Sequence, residues 1–335
     1  MGVIMSELRL NLITREWVII AKERAKRPED FRVKSERPTL PPFSETCPFC
    51  PGNEKRTPSE TFSLKDEKGW KIRVMPNKFS ALSLEGERTR ENGGIKRTLS
   101  GVGIHEVIVE TSFHNMTTAI LPLNQVEDIL RVYRERFVEA YKDPRVEHVI
   151  IFKNQGERAG TSIEHPHSQL VGLPVTPIQV RMRMDEAIRF FDDTGDCLMC
   201  KTLKDELQEG ARIIMETEHF VAFIPYAALS PFHIWVFPRR HNPSFEGITD
   251  EEINDLARIM KTTLGKVYFG LDNPDFNYTI RSMRPIIGNV EFFHWYLSIV
   301  PRVYQTSGFE MGTGMYINMA LPEDSAEFLR SIDVK

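Results

Sequence analysis

The sequence predicts an α+β protein built from two copies of one unit, each with a mostly antiparallel sheet and helices packed on it. Two observations lead to this prediction. All four cysteines occur in two Cys-x-x-Cys pairs, and each pair is followed by histidines at nearly matching distances. In both halves a β-like run precedes a histidine, and a helix-like segment and another β-like run follow. A duplicated domain explains both patterns.

The individual elements repeat in the same order in each half. The predicted helices start at capping boxes, Asn124 with Glu127 and Thr249 with Glu252, because a side-chain acceptor is followed three residues later by Glu. The predicted strands are residues 105–110, 149–152, 232–237 and 295–300. A segment rich in helix formers, residues 178–191, joins the two copies.

The repeat divides the chain into an N-terminal catalytic domain, residues 1–190, and a C-terminal domain, residues 191–335. A chain of 335 residues is long enough for each domain to bury its own core. We expect one metal site in each domain, because each half contains one cysteine pair.

Composition excludes several classes of protein. The net charge of −4 gives no general attraction to phosphate backbones, so nucleic acid is not an expected partner. No apolar run is long enough for a signal peptide or a membrane span. Four thiols in metal-type pairs indicate a reducing compartment rather than a disulfide scaffold. We therefore expect a cytoplasmic protein.

The cysteines and histidines form two candidate zinc sites. Two thiolates and two imidazoles suit tetrahedral Zn²⁺, so we expect two zinc ions per chain. An alternative is that both cysteine pairs meet in one Cys₄ site, but it leaves the parallel spacing of the histidines unexplained. The first predicted ligand set is Cys47, Cys50, His114 and His165, and the second is Cys197, Cys200, His241 and His294.

The chemistry is expected in the stretch His165-Pro-His167-Ser-Gln169. If this stretch is a strand, side chains alternate, and His165, His167 and Gln169 share one face. An imidazole whose other ring nitrogen is held by a carbonyl can attack phosphorus, and an amide can donate to phosphate oxygens. A plain metal-chelating His-x-His is the alternative. The second half has Tyr296 and Ser298 at the matching positions, so only the first half retains the nucleophile.

The whole pattern resembles the galactose-1-phosphate uridylyltransferase family, the double-domain branch of the histidine-triad (HIT) superfamily, over nearly the entire chain. In that family a His-x-His-x-Gln motif supplies a zinc ligand, a nucleophilic histidine and a phosphate-binding glutamine. These would be His165, His167 and Gln169 here, with His167 and Gln169 catalytic. The resemblance implies a duplicated HIT-like fold and a ping-pong reaction through a nucleotidyl-histidine.

The resemblance also implies where nucleotide and substrate bind. An N-terminal basic cluster, a loop before the first strand, the loop before the nucleophile and a C-terminal loop all match family motifs. From the residues alone, the basic cluster reads as a solvated turn, while the small residues before the nucleophile would let backbone N–H groups approach a phosphate. The implied binding residues are Arg24, Arg27, Asn77, Phe79, Asn154, Gly160, Thr161, Ser162, Gln169, Phe309 and Glu310.

The resemblance leaves the base and the acceptor open. We expect a UDP-glucose:hexose-1-phosphate (galactose-1-phosphate) uridylyltransferase, which binds a sugar nucleotide and a sugar 1-phosphate and acts as a homodimer. The alternative is an ADP-glucose phosphorylase that uses inorganic phosphate. The second ligand set, Ser168 and the small residues from Gly312 to Gly314 resemble the plant-type branch with that activity.

Two further classes compete with nucleotidyl transfer. In a hydrolase, water would replace the acceptor, as in single-domain histidine-triad nucleotide hydrolases. In a catalytically silent zinc module, the face that carries His167 and Gln169 would have no role. The duplication and the acidic charge balance count against these two readings.

Overall fold

A computed structural model describes residues 5–33, 39–284 and 290–334 of the chain. The strands in these ranges are β1 (Glu7–Leu10), β2 (Trp17–Ile20), β3 (Phe62–Asp66), β4 (Gly69–Pro76), β5 (Arg90–Gly93), β6 (Lys96–Leu99), β7 (Ile104–Val109), β8 (His148–Gln155), β9 (His167–Leu173), β10 (Ile213–Glu216), β11 (Phe220–Phe223), β12 (Ile234–Pro238), β13 (Phe276–Arg281), β14 (Tyr296–Pro301) and β15 (Tyr316–Asn318). The α-helices are α1 (Leu123–Ala140), α2 (Ile178–Thr194), α3 (Leu198–Glu209), α4 (Asp250–Gly270), α5 (Gly308–Thr313) and α6 (Pro322–Ser331). None of these helices combines the length and the apolar character needed to cross a membrane.

Ten strands form one continuous antiparallel sheet that includes both copies of the repeat. Its order is β10-β11-β12-β14-β13-β8-β9-β7-β4-β3. Counted outward from the centre, the two halves have the same order, because β8, β9, β7, β4 and β3 correspond to β13, β14, β12, β11 and β10. The halves join where β8 pairs with β13, from Gln155 opposite Phe276 to Ile151 opposite Ile280. The predicted α+β fold with a duplicated unit is confirmed. The sequence predicted one sheet in each half, whereas the structure joins the strands of both halves into a single sheet.

The two long helices of the repeat, α1 and α4, lie on one face of this sheet and pack against each other. Strand residues on that face, such as Ile151, Leu170 and Tyr278, are buried with Val126 and Ile129 of α1. Most residues of alternate parity face the other way and are half-buried, as the period of two requires, although His148 and His167 on this face are buried. The helix layer therefore leaves the opposite face of the central strands open for a site.

The predicted elements agree with the structure in most places. The four predicted strands correspond to β7, β8, β12 and β14, and the predicted joining helix corresponds to α2. The capping box at Thr249 is present, with Thr249 Oγ1 accepting the N–H of Glu252 at 3.2 Å. The predicted box at Asn124 is wrong, because α1 begins at Leu123 and places Asn124 inside the first turn. The division of the chain at residue 190 stays a prediction.

The N-terminal segment is attached to the second half of the chain. Strand β2 pairs in parallel with β15 and antiparallel with β1 in a separate three-stranded sheet. The guanidinium of Arg9 donates to the Tyr226 carbonyl at 3.0 Å and to Glu323 at 2.9 Å. The first described strands thus contact elements of the C-terminal copy.

We expect Thr249→Ala to lower the free energy of unfolding by about 1 kcal/mol, because it removes the side-chain acceptor at the start of α4. Asn124→Ala is the matched control, since Asn124 is exposed and is not the N-cap of α1. Its stability should change by less than about 0.5 kcal/mol. Urea unfolding of both variants measures the difference, and equal destabilisation would contradict the two assignments.

Candidate active site and metal centres

Strand β9 carries His167 and Gln169 on the open face of the sheet. Gln169 pairs with Phe152 of β8 on one side and with Val107 of β7 on the other. Leu170, of opposite parity, is buried against the helix layer. The alternation predicted for His-x-His-x-Gln is therefore present from His167 onward, and both side chains lie on the same face.

His167 is held in one tautomer. Its Nδ1 lies 2.8 Å from the carbonyl oxygen of His165, which can only accept, so Nδ1 carries the proton and Nε2 keeps its lone pair. Burial lowers the pKa of His167, which keeps the imidazole neutral near pH 7. Phe49, which lies between Cys47 and Cys50, packs its ring edge-on against this imidazole, and the two ring centroids are 5.3 Å apart. His167 is thus held as a neutral imidazole with the lone pair on Nε2, the form that the predicted nucleophile needs.

Gln169 is oriented from β7. Its Oε1 lies 2.8 Å from Nε2 of His105 and 3.4 Å from Nδ2 of Asn77. Because two nitrogens approach this oxygen, the amide NH₂ of Gln169 is left available to donate elsewhere. Asn77 in turn accepts the N–H of Phe79, whose ring is 85% exposed.

The first predicted ligand set converges on one point. The ligand atoms of Cys47, Cys50, His114 and His165 all lie within 4.8 Å of one another, and all four residues are buried. Sγ–Nδ1 distances of 3.6 Å and 3.8 Å agree with the roughly 3.6 Å expected for a sulfur and a nitrogen on one tetrahedral Zn²⁺. Nε2 of His165 donates to the Thr111 carbonyl at 2.7 Å, which leaves Nδ1 as the ligand atom. This cluster fits a metal ion.

The second set converges less completely. Ligand atoms of Cys197, Cys200 and His241 lie within 4.8 Å of one another. Nδ1 of His294 lies 3.2 Å from Cys200 Sγ, but it does not lie within 4.8 Å of all three of these ligand atoms. Nε2 of His241 donates to the Val290 carbonyl at 3.0 Å, as His165 does to Thr111. The two cysteine pairs therefore lie in separate clusters, and the single Cys₄ site is excluded.

His167 does not belong to the first cluster, although it is two residues from His165. Its Nδ1 donates to the His165 carbonyl, so this nitrogen is not available as a ligand atom beside the thiols. The alternative of a chelating His-x-His is therefore wrong for this pair. Burial lowers the pKa of His165 to about 4, so its imidazole is neutral, which is the form that a metal ligand needs.

A buried ion pair lies next to the main chain of His167, on the helix side of the sheet. Lys153 Nζ contacts a carboxylate oxygen of Glu110, and neither side chain is exposed. The other Glu110 oxygen accepts the hydroxyl of Tyr133 at 2.8 Å and that of Tyr278 at 3.2 Å. Lys153 also donates to the main-chain carbonyl of His167 at 3.4 Å. Burial lowers the pKa of Lys153, opposed by the nearby Glu110 carboxylate.

Asn154 lies beside His167 on the open face, because continuing the β8–β9 register places the two opposite each other. Its Oδ1 accepts Nδ2 of Asn277 at 2.7 Å, and Oδ1 of Asn277 accepts Nε of Arg302. Asn277 belongs to β13, so the second half of the chain orients a side chain of the first. The amide nitrogen of Asn154 is left to donate toward the site.

The loop before the nucleophile turns sharply at two glycines. Gly156 and Gly160 have φ values of 85° and 88°, which residues other than glycine rarely adopt. A Cβ on Gly156 would also collide with Asp275. Beside this loop lies a cavity of about 720 Å³ lined by Thr161 and Ser162, among others. His167 does not line this cavity.

Four of the implied binding residues lie outside the large sheet that carries His167 and Gln169. Arg24 and Arg27 are exposed on two short 3-10 helices, the second of which packs against α6. Phe309 and Glu310 lie on α5, which packs against β15. Glu310 accepts the N–H of Ser307 and the hydroxyl of Tyr304, each at 2.9 Å. Burial opposes its ionisation, but these hydrogen bonds lower its pKa to about 2.

Sequence reasoning missed three residues that contact the site: His105, Lys153 and Asn277. For His105 a signal was present, since His233 follows it by 128 residues, close to the spacing of the ligand histidines. Lys153 and Asn277 have no comparable signal, because their contacts depend on strand pairing across the centre of the sheet.

Comparison with known proteins gives the family. The chain matches the model of the N-terminal domain of galactose-1-phosphate uridyl transferase over residues 2–177 and that of the C-terminal domain over residues 183–297. The chain belongs to this family. Its members are nucleotidyltransferases, and so is this protein.

Individual relatives differ in their activities. The chain is 37% identical over 334 residues to an ADP-glucose phosphorylase of Arabidopsis thaliana, covering 98% of this chain and 93% of the relative. It is 27% identical over 342 residues to a galactose-1-phosphate uridylyltransferase of Thermotoga maritima, covering 99% and 100%. A crystal structure of an A. thaliana ADP-glucose phosphorylase with bound ADP-glucose is 32% identical, with a TM-score of 0.83 and coverage of 99% and 100%.

We expect Lys153→Met to lower the free energy of unfolding by about 3–5 kcal/mol, because it leaves the Glu110 carboxylate buried without its cation. Lys142→Met removes an exposed ion pair with Glu139 and should leave stability unchanged. Denaturant unfolding followed by circular dichroism compares the two variants. Equal stability of Lys153→Met and the unmodified protein would show that the buried pair contributes nothing.

Proposed function

We propose that the protein is an ADP-glucose phosphorylase, which transfers the adenylyl group of ADP-glucose to inorganic phosphate through an adenylyl-histidine on His167. The observation that carries the proposal is the held tautomer of His167, whose Nε2 lone pair is directed away from the carbonyl that binds Nδ1. The choice of adenylyl over uridylyl transfer rests on 37% identity to the plant phosphorylase, against 27% to the uridylyltransferase. This reverses the order of the two activities expected from the sequence.

In the first half-reaction, Nε2 of His167 attacks the α-phosphorus of ADP-glucose. An N–P bond forms, the P–O bond to the β-phosphate breaks, and glucose 1-phosphate leaves with the bonding electrons. The leaving group is a phosphate and needs no proton to depart. The imidazole becomes cationic as the bond forms, and the His165 carbonyl, which accepts Nδ1–H at 2.8 Å, stabilises this charge.

In the second half-reaction, inorganic phosphate attacks the same phosphorus, the N–P bond breaks, and ADP leaves with His167 neutral again. The free NH₂ of Gln169 is suited to donate to the phosphoryl oxygens in both steps, because its own oxygen is already hydrogen-bonded. Asn154 has the same property, since Asn277 uses its oxygen. The backbone N–H of Ser162 is the proposed donor to the other phosphate, because that of Thr161 already donates to the Gly156 carbonyl at 3.3 Å.

The C-terminal loop supports phosphate rather than a hexose phosphate as acceptor. Gly312 offers no side chain, and the hydroxyl of Thr313 donates to the Phe309 carbonyl at 2.7 Å. If this loop borders the acceptor, as the family resemblance implies, it has few groups with which to distinguish sugar hydroxyls. Recognition of a hydroxyl usually needs a placed polar partner.

We also propose a homodimer, in which α5 of one chain reaches the site of the other. Phe309 and Met311 of this helix are exposed, at 40% and 77%, which favours burial against a partner. A role for Phe309 and Glu310 in the substrate site depends on this arrangement. Arg24 and Arg27 are proposed to reach the nucleotide phosphates, because their exposed guanidinium groups have no carboxylate partner within 4 Å among the described residues. A cytoplasmic location stays a prediction.

We infer that both metal clusters bind Zn²⁺. Soft thiolates with imidazoles favour this ion, and the first cluster has tetrahedral ligand separations. When bound, a zinc ion at the first cluster would join the Cys47 loop to the strand that carries His167. The second set lies in the half without a nucleophile, so its proposed role is stability alone.

Metal analysis should find two zinc equivalents per chain. The double substitution Cys197→Ser, Cys200→Ser should reduce this to one and lower the melting temperature, because the binding energy of a structural metal is also folding energy. Activity per folded molecule should persist in this variant. A single equivalent in the unmodified protein that is unchanged in the variant would show that the second cluster is not a site.

The proposed reaction is tested by charging the enzyme with α-³²P-labelled ADP-glucose or UDP-glucose and measuring acid-labile label on the protein. We expect inorganic phosphate to discharge the adenylyl-enzyme at least roughly tenfold faster than galactose 1-phosphate does. His167→Asn should lose label and turnover by on the order of 10⁴-fold or more, with zinc content and ADP-glucose binding retained.

Two outcomes contradict the proposal. Faster discharge of a uridylyl-enzyme by galactose 1-phosphate would establish the uridylyltransferase alternative. Loss of zinc from His167→Asn would show that the roles of His165 and His167 have been exchanged.

A further inference from the structure

Two side chains approach the carboxamide oxygen of Gln169. His105 Nε2 lies 2.8 Å from this oxygen, and Asn77 Nδ2 lies 3.4 Å from it. The same Asn77 nitrogen is 3.0 Å from His105 Nε2. His105 is half-buried on β7, on the face of the sheet that carries Gln169. The proposed mechanism uses Gln169 but assigns no role to His105.

The tautomer of His105 follows from its other ring nitrogen. The backbone N–H of Ala81 points at Nδ1 from 3.1 Å. A backbone N–H can only donate, so Nδ1 must accept and carries no proton. The neutral imidazole then has its proton on Nε2, which donates to Gln169 Oε1. The oxygen end of the Gln169 amide is thereby set toward β7 and its NH₂ toward the open face.

The matching contact in the second half has the opposite polarity. His233 Nε2 lies 2.9 Å from Ser298 Oγ, at the position equivalent to the His105–Gln169 contact. Here the indole N–H of Trp235 donates to His233 Nε2 at 3.2 Å, so this nitrogen accepts. The histidine is thus a repeated feature of the fold. Only in the half that keeps His167 does it donate to an amide oxygen.

We propose that His105 is a positioning residue, which holds the Gln169 amide with its NH₂ directed at the transferring phosphoryl group. The inference rests on the proposed role of Gln169. A glutamine free to rotate would present its oxygen to the phosphate in part of the molecules, where it would repel the developing charge. His105 also ties Gln169 to the loop after β4, because it accepts from Ala81 and its carbonyl accepts the N–H of Asn77 at 2.8 Å.

Two substitutions separate the hydrogen bonds of His105. His105→Asn keeps an oxygen where Nδ1 was, to accept from Ala81, but has nothing that reaches Gln169. His105→Gln places an amide N–H near the position of Nε2 and keeps the donor. Single-turnover formation of the adenylyl-enzyme from ADP-glucose should slow by roughly tenfold or more in His105→Asn and remain within about threefold of the unmodified rate in His105→Gln.

A double-substitution cycle shows whether His105 acts through Gln169. The variant His105→Asn, Gln169→Ala should be no slower than Gln169→Ala alone, within about twofold, because the group being positioned is already absent. Zinc content and ADP-glucose affinity should be similar in all variants. A multiplicative loss in the double variant, or an unmodified rate in His105→Asn, would overturn the inference.

The failure of the proposed function has a different signature. If the unmodified protein forms no nucleotidyl-enzyme, or if Gln169→Ala reacts at the unmodified rate, the proposed mechanism itself is wrong and the role of His105 falls with it. A slow Gln169→Ala variant beside an unaffected His105→Asn variant refutes only the positioning role.

Discussion

The register of β9 between β7 and β8 is the constraint on which the rest of the site depends. Side chains alternate along a strand, so the pairing that buries Leu170 against α1 also directs His167 and Gln169 to the open face. A slip of one residue would turn His167 toward the helix layer and expose the core. Burial of apolar residues on the helix side therefore sets the direction of the His167 and Gln169 side chains, and no separate interaction is needed to choose it.

His165 connects the metal cluster to the nucleophile. Its Nδ1 belongs to the first ligand cluster, its Nε2 donates to Thr111, and its main-chain carbonyl accepts from His167. One residue thus links metal binding, ring orientation and the tautomer of His167. Phe49, between the two cysteines, contacts the same imidazole. A metal ion bound at this cluster would therefore affect the orientation of His167 through geometry alone.

Duplication left the two halves with different tasks on one sheet. The second half has Tyr296 and Ser298 at the positions of His167 and Gln169, so the proposed covalent step has no counterpart there. It still contributes Asn277, which orients Asn154 across the β8–β13 junction. Tyr278 of the same strand donates to Glu110 beneath the site. The second copy thus supports the first from both faces of the sheet.

The sequence by itself determined the duplication and most strand and helix types, and it predicted the ligand sets and the nucleophile motif, because these depend on residue chemistry and on short periodic patterns. The structure leaves His167 outside the first ligand cluster, which argues against a chelating role, and it places the two cysteine pairs in separate clusters. Only the tertiary structure decided the joining of the halves into one sheet, the partners of Lys153 and the tautomer of His105, since each depends on residues distant in the chain. The capping box expected at Asn124 failed for a local reason: Pro122 is the N-cap residue and α1 begins at Leu123, so Asn124 lies inside the first turn.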